Sequence, residues 1–178
     1  MQFEMNQAVE VLSGSPGVLN ALLRNKSASW LKNKRTPESF SPIDVVGHLI
    51  LADQTDWMPR VQIILENRDK DRRDQRPFEP FDRFAFQSLI EGKTIADLLD
   101  DFAEVRRDSL ETLRSLDLQE PQLDLPGLHP DLGTVTLSNL LATWVVHDLG
   151  HISQIVKAMS SAYSEAVGPW HAYLSILR

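Results

Sequence analysis

The sequence contains no cysteine, and this absence excludes several classes of function at once. A disulfide scaffold, a thiolate metal site and a cysteine nucleophile all need the side chain that is missing. A chain without disulfides is also typical of a reducing compartment. The first residues, MQFEMNQAVE, have neither the basic start nor the apolar core of a signal peptide, so we expect a cytoplasmic location.

Long hydrophobic runs are absent as well, since no segment approaches the roughly 18–20 apolar residues that cross a bilayer. Positive charge is in deficit, because the formal net charge at pH 7 is −7. Nucleic acids and anionic membranes both attract a basic protein face. We therefore expect neither as a partner, and we expect a small-molecule substrate instead.

The remaining composition is that of an ordinary globular protein, with 42% hydrophobic and 24% charged residues in 178. This length predicts one domain over residues 1–178. Apolar residues recur at helical spacing, proline-rich joints separate the helical stretches, and no convincing strand alternation is present. The predicted helices are 3–12 with 18–23, 42–66, 94–116 and 137–160. Together with long loops and a short C-terminal helical segment, they predict an all-α four-helix bundle.

Local signals give the predicted helix boundaries. Ser15 and Pro16 are expected to break the first helical stretch and start it again. Ser41 and Pro42 are a strong start for the second helix, and a kink is expected near Pro59. The loop at 67–91 is rich in aromatic residues, and a loop of this length often covers a site.

Three histidines stand among apolar residues. His147 and His151 lie four residues apart in WVVHDLGHISQ, so both point from one helix face, and His48 lies in VVGHLIL of the second helix. Burying three imidazoles without partners is costly, whereas one metal ion would satisfy all three. Three histidine ligands with an open position are typical of a catalytic metal site. The alternative is that they are core residues of a protein without metal.

Other polar residues are weaker candidates. Gln154 and Thr55 are predicted to border the site, one turn after His151 and two turns after His48. Asp148 is predicted to hydrogen-bond to another helix, because it points about 100° away from His147. The weakest candidates for the site are Asp44, His129 and His171. We expect His129 and His171 to be exposed to solvent.

A zinc protease of the HExxH class shares the spacing of HDLGH but explains the sequence poorly. Its general base is a glutamate, whereas Asp148 is one methylene shorter. The remaining histidine that can join the pair, His48, also lies about a hundred residues upstream.

The combined motifs resemble the DinB-like superfamily, which includes metal-dependent hydrolases of the YfiT type. The resemblance is carried by GHL in the second helix and by W-x-x-H-D-x-x-H-x-x-Q in the last. Further similarity lies in SPIDVVGHL, in LGTVTLSNLLATWVVHDLGHISQI and in the ending AVGPWHAYLSIL. It covers most of the chain, and the order and spacing of the motifs are more specific than any one of them.

The resemblance implies a four-helix bundle in up-down-down-up order, with a divalent metal ion bound by His48, His147 and His151. Zinc and nickel are the ions described in such sites, and homodimers are common. Relatives include S-transferases that use bacillithiol, mycothiol or glutathione, and a maleylpyruvate isomerase. A low-molecular-weight thiol is therefore an implied second cofactor.

Two classes of function stay open. The first is an enzyme in which the metal activates a thiol or a water, by thiol S-transfer or by hydrolysis. The second is a non-catalytic module in which the ion ties two helices together or holds a small ligand. The family resemblance favours thiol transfer.

Overall fold

The computed structural model describes residues 2–178, and four long helices form its frame. In chain order the elements are α1 (Met5–Leu23), α2 (Ala28–Leu31), α3 (Pro42–Ala52), a π-helical segment (Asp53–Trp57), α4 (Met58–Glu66), α5 (Gln87–Ile90), α6 (Ile95–Ser115), α7 (Glu120–Leu123), β1 (Pro126–His129), β2 (Gly133–Thr136), α8 (Leu137–Ser161) and two 3₁₀ turns (Gly168–Tyr173 and Ser175–Leu177). The second long helix is continuous from α3 through the π-helical segment into α4.

The four helices pack as a bundle in which α1 and α3 lie on opposite corners. Each of them contacts both α6 and α8. Arg24, at the end of α1, pairs with Asp100 near the start of α6, so these helices are antiparallel. Leu12 packs in one core cluster with Leu141 and Trp144. Leu19, two turns later in α1, packs in a second cluster with Ile155, so α1 runs parallel to α8.

The second long helix runs antiparallel to α8. His48 contacts His151, whereas Trp57, farther along this helix, stacks on Trp144, which comes earlier in α8. The four directions are therefore up, down, down and up. The predicted bundle and the helix order implied by the resemblance are both confirmed.

Capping boxes fix the starts of three helices. Ser41 accepts the backbone N–H of Asp44, and Thr94 and Thr136 start α6 and α8 in the same way. Each cap satisfies a backbone N–H that has no partner inside the helix. The predicted starts of these helices are confirmed.

The predicted break at Ser15 and Pro16 is wrong, because α1 continues through both residues. Pro16 has no backbone N–H, so the carbonyl of Leu12 one turn earlier loses its helical partner. Nη1 of Arg106 donates to this carbonyl at 3.1 Å and replaces the missing bond. A contact between distant parts of the chain therefore overrides the local proline signal.

The expectation of no strands is also wrong, since β1 and β2 form an antiparallel hairpin between α7 and α8. Strands of four residues are too short to show alternation in the sequence.

Within the loop at 67–91, α5 packs on α3 at Gly47. A side chain at position 47 would not fit, because its Cβ would collide with Ile90 and press on Phe86. Within residues 2–178, none of the helices has the length and apolarity needed to cross a membrane.

Candidate metal centre

The three histidines from α3 and α8 meet at one point. Nε2 of His147 lies 3.1 Å from Nε2 of His48 and 3.1 Å from Nε2 of His151. Ligand atoms of all three lie within 4.8 Å of one another, and this is the one such group among the described residues. The convergence predicted from helix spacing is therefore present in the fold.

The donor set suits a divalent metal ion. A neutral imidazole nitrogen carries either one N–H or one lone pair, so Nε2 of His147 can make a good hydrogen bond to only one of its two neighbours. Imidazole nitrogens about 2.1 Å from a common ion are themselves roughly 3.0–3.4 Å apart, for angles of about 90–109° at the ion. The two separations of 3.1 Å lie in this range. The residues present therefore fit a shared cation better than they fit one another.

Gln154 holds His151 in the required orientation. Its Oε1 lies 2.8 Å from Nδ1 of His151, so that Nδ1–H donates to the amide oxygen and leaves the Nε2 lone pair facing the other histidines. Such outer partners fix the tautomer of a metal-binding histidine. Gln154 also lines the cavity beside the three rings, so its predicted place at the border of the site is confirmed.

Thr55 does not border the site. It is exposed, and its hydroxyl donates to the carbonyl of Leu51 at 2.8 Å. The prediction assumed regular α-helical turns from His48 to Thr55, but the segment Asp53–Trp57 is π-helical. The wider π turn changes the helical phase and directs Thr55 to solvent.

The remaining candidates have other roles. The side chain of Asp44 accepts the backbone N–H of Ser41 at 2.9 Å as part of the helix cap. Nδ1 of His129 accepts two backbone N–H groups in the hairpin turn, and His171 is exposed on a 3₁₀ turn. None of the three belongs to the histidine cluster.

Aromatic rings surround the histidines on the protein side, and a cavity of about 350 Å³ opens on the other. Phe81 from the loop at 67–91 lies edge-on to His48 at 5.6 Å, measured between ring centroids. Trp57 lies edge-on to His147 at 5.0 Å. The loop at 67–91 therefore covers the histidine cluster. The rings exclude water from one side of the cluster while the cavity leaves a path for a small molecule.

Burial favours the uncharged form of the histidines. It lowers the pKa of His48 to about 4 and the pKa of His147 to about 3, and the neighbouring imidazoles add to the effect. Burial also lowers the pKa of His151, against the opposing hydrogen bond to Gln154. At neutral pH the rings are therefore neutral, which is the form that binds metals.

The same shifts predict a pH-dependent stability of the metal-free protein. Between the folded pKa of His147, about 3, and its unfolded value of 6.5, the unfolded chain binds more protons. Stability therefore rises with pH in this window, and we expect the free energy of unfolding to fall between pH 6.5 and pH 4. Burial raises the pKa of Asp56 to about 6, which acts in the opposite direction.

Urea denaturation of the metal-free protein at several pH values tests this expectation. The loss of stability on acidification should be smaller in His147→Gln, and the comparison with wild type cancels the contribution of Asp56. His129→Gln is the matched control and should retain the wild-type slope. Equal slopes for wild type and His147→Gln would contradict the prediction.

A buried ionic network lies beside the histidines and joins the four long helices. Arg106 of α6 donates to Asp53 at 2.7 and 2.9 Å, and to Asp148 at 2.5 and 3.1 Å. It also donates to the carbonyl of Leu12 in α1. The prediction that Asp148 hydrogen-bonds to another helix is confirmed, and its partner is Arg106.

The charges in this network are almost completely shielded from solvent. Arg106, Asp53 and Asp148 are exposed by only 1%, 3% and 1%. Burial alone would lower the pKa of Arg106, but hydrogen bonds and charges from the two carboxylates raise it, so the guanidinium is charged. The network consists of one arginine and two aspartates, and Asp148 is the chain neighbour of His147.

Arg106 and Asp53 were not recognised from the sequence. The sequence feature that indicates Arg106 is its position inside an apolar stripe. It follows Phe102 by four residues and precedes Leu110 by four. A cation at such a position needs a buried carboxylate on a facing helix. Asp148 occupies the equivalent place in α8, four residues after the buried Trp144.

Comparisons with known proteins agree with this fold. The sequence profile of the DinB superfamily matches residues 12–155. The chain belongs to the DinB superfamily. No curated protein matches it significantly. A similar solved structure is YfiT from Bacillus subtilis, described as a probable metal-dependent hydrolase with an unusual four-helix bundle topology. The two share 22% sequence identity with a TM-score of 0.70, over 92% of this chain and 87% of YfiT.

Proposed function

We propose that this protein is a metal-dependent enzyme acting on a small molecule, with one divalent ion bound by His48, His147 and His151. The observation that carries the proposal is the meeting of three Nε2 atoms at the edge of an open cavity of about 350 Å³. Zinc and nickel are the first ions to test, since imidazole binds both. The proposed location is the cytoplasm.

The reaction we propose first is thiol S-transfer, as in the family relatives that use low-molecular-weight thiols. A bound divalent ion lowers the pKa of a thiol or a water and so supplies a nucleophile at neutral pH. The protein residues position this chemistry. Gln154 orients His151, the rings of Trp57 and Phe81 exclude bulk water, and the cavity admits the electrophile.

Hydrolysis is the second candidate, because it needs the same histidines and because the structurally similar YfiT is described as a probable hydrolase. The two reactions differ in the nucleophile that enters the cavity. Assays with thiols and with esters therefore separate the two reactions.

A substrate screen tests the proposal. Untagged protein loaded with zinc or nickel is assayed with thiols paired with 1-chloro-2,4-dinitrobenzene, and separately with a panel of nitrophenyl esters. We expect turnover that needs the metal and that falls to background in His48→Ala. Turnover with thiols supports transfer, and turnover with esters alone supports hydrolysis. No turnover in the fully loaded protein would contradict the enzyme proposal and favour a metal-binding module.

Stability distinguishes a structural ion from a catalytic one. Because the buried network of Arg106 ties the helices together without the histidines, we expect the metal-free protein to stay folded. Circular dichroism before and after treatment with a chelator measures this. Loss of the helical signal after metal removal would instead indicate a structural site.

A further inference from the structure

The mouth of the histidine cavity carries positive charge in an acidic protein. Arg83 and Glu38 line this cavity. An adjoining cavity of about 230 Å³ shares Phe40 and Gln154 with it and is lined by Arg35 and Lys157. Three cations and one anion give a local charge of +2, whereas the whole chain carries −7. A positive cavity with low-dielectric walls raises the local concentration of anions.

Arg83 is the cation that lies in the same cavity as the histidines, and its donors are available. Its guanidinium carbon lies 4.7 Å from the ring centroid of Phe84 and 5.6 Å from that of Phe40. Both rings therefore restrict the side chain through cation–π contacts. Among residues 2–178, no carboxylate lies within ion-pair distance of Arg83.

The other two cations are less suited to a principal contact. Arg35 uses one nitrogen to donate to the backbone carbonyl of Arg178 at 2.7 Å. Lys157 lines the adjoining cavity and does not line the one that contains the histidines. Arg35 and Lys157 add positive electrostatic potential at the entrance, whereas Arg83 can reach a molecule that also touches the histidines.

We infer that the substrate carries an anionic oxygen group, a carboxylate or a phosphate, and that Arg83 binds this group while the reacting end lies at the histidines. A planar guanidinium matches either group with two parallel hydrogen bonds. The inference rests on the proposed metal function and adds the chemical class of the substrate.

Binding of matched thiols to the zinc-loaded protein tests the inference by calorimetry, without any assay of activity. The probes are 3-mercaptopropionate and its neutral amide, 3-mercaptopropionamide, which share the thiol and the chain length. Because hydrogen bonds to charged groups contribute more than neutral ones, we expect the acid to bind about ten to a hundred times more tightly. A third probe, 2-mercaptoethylphosphonate, distinguishes preference for a phosphate-like group from preference for a carboxylate.

Variants assign the preference to one residue. Arg83→Gln should lose most of the difference between acid and amide while keeping the wild-type zinc content. Arg107→Gln, an exposed arginine of α6 paired with Asp108, is the matched control and should keep the difference. Glu38→Gln removes the one acidic residue of the cavity wall and should tighten binding of the acid.

The outcomes separate this inference from the proposed function. Equal affinity for acid and amide in a protein that holds zinc would overturn the anionic substrate and leave the metal function standing. A full preference in Arg83→Gln would overturn the role of that residue. A protein that binds no zinc would overturn both.

Discussion

Replacing Arg106 by methionine is expected to remove about 3–5 kcal/mol from the free energy of unfolding. The change leaves Asp53 and Asp148 almost fully buried without their cation, and breaking a buried ion pair by removing one partner has a cost of this size. Native stability is only about 5–15 kcal/mol, so the variant should lose a large part of it. We expect the midpoint of thermal unfolding to fall by roughly 6–20 °C.

The neighbouring residue provides the control for this experiment. Arg107 is exposed and forms surface pairs with Asp108 and Glu104. Arg107→Met should therefore change stability by less than about 0.5 kcal/mol. If Arg106→Met fails to fold, Arg106→Met combined with Asp53→Asn and Asp148→Asn removes the unpaired charges and should recover part of the loss. A melting temperature of Arg106→Met equal to that of Arg107→Met would contradict the prediction.

Replacing His151 by alanine is expected to weaken zinc binding by more than about a hundredfold. The change removes one of three convergent nitrogens, and even the loss of an outer partner of a metal ligand weakens binding by about ten- to a hundredfold. Competition with a chromophoric chelator measures the affinity, and elemental mass spectrometry of untagged protein measures the ions per chain. His48→Ala should give the same result, although His48 lies on a different helix.

Two variants complete this comparison. His129→Ala removes a histidine of the hairpin turn and should leave zinc binding unchanged. Gln154→Leu keeps all three ligands but removes the hydrogen bond that orients His151, so its loss of affinity should be smaller than that of His151→Ala. Wild-type zinc content in His48→Ala and His151→Ala would contradict the three-histidine site and return these residues to the core.

The parts of the fold that the sequence predicted are those fixed by local chemistry. Ser41, Thr94 and Thr136 begin helices because each offers an oxygen to a nearby backbone N–H. The histidine site was predictable for a related reason. His147 and His151 share a face whenever their segment is helical, and the resemblance to the DinB-like superfamily placed His48 beside them.

The parts that were missed depend on contacts between distant residues. Pro16 stays inside α1 because the guanidinium of Arg106 donates a hydrogen bond to the carbonyl of Leu12, which Pro16 leaves without a helical partner. Arg106 lies 94 residues after Leu12 in the chain. The place of Thr55 depends on a π turn, which no simple pattern of apolar residues reveals. Arg106 interrupts the apolar stripe of α6, so hydrophobic periodicity alone does not predict that it is buried. In the structure it lies at the centre of the bundle.

The position of α8 in the chain has a consequence for how the protein is made. This one helix contributes Asp148, His147 and His151. While the chain emerges from the ribosome, Arg106 and Asp53 can already pair one to one, because their helices are synthesised earlier. Docking of the last helix then adds the second carboxylate and two of the three imidazoles in a single step. The three imidazoles of a nascent chain can therefore meet only when its core is closing.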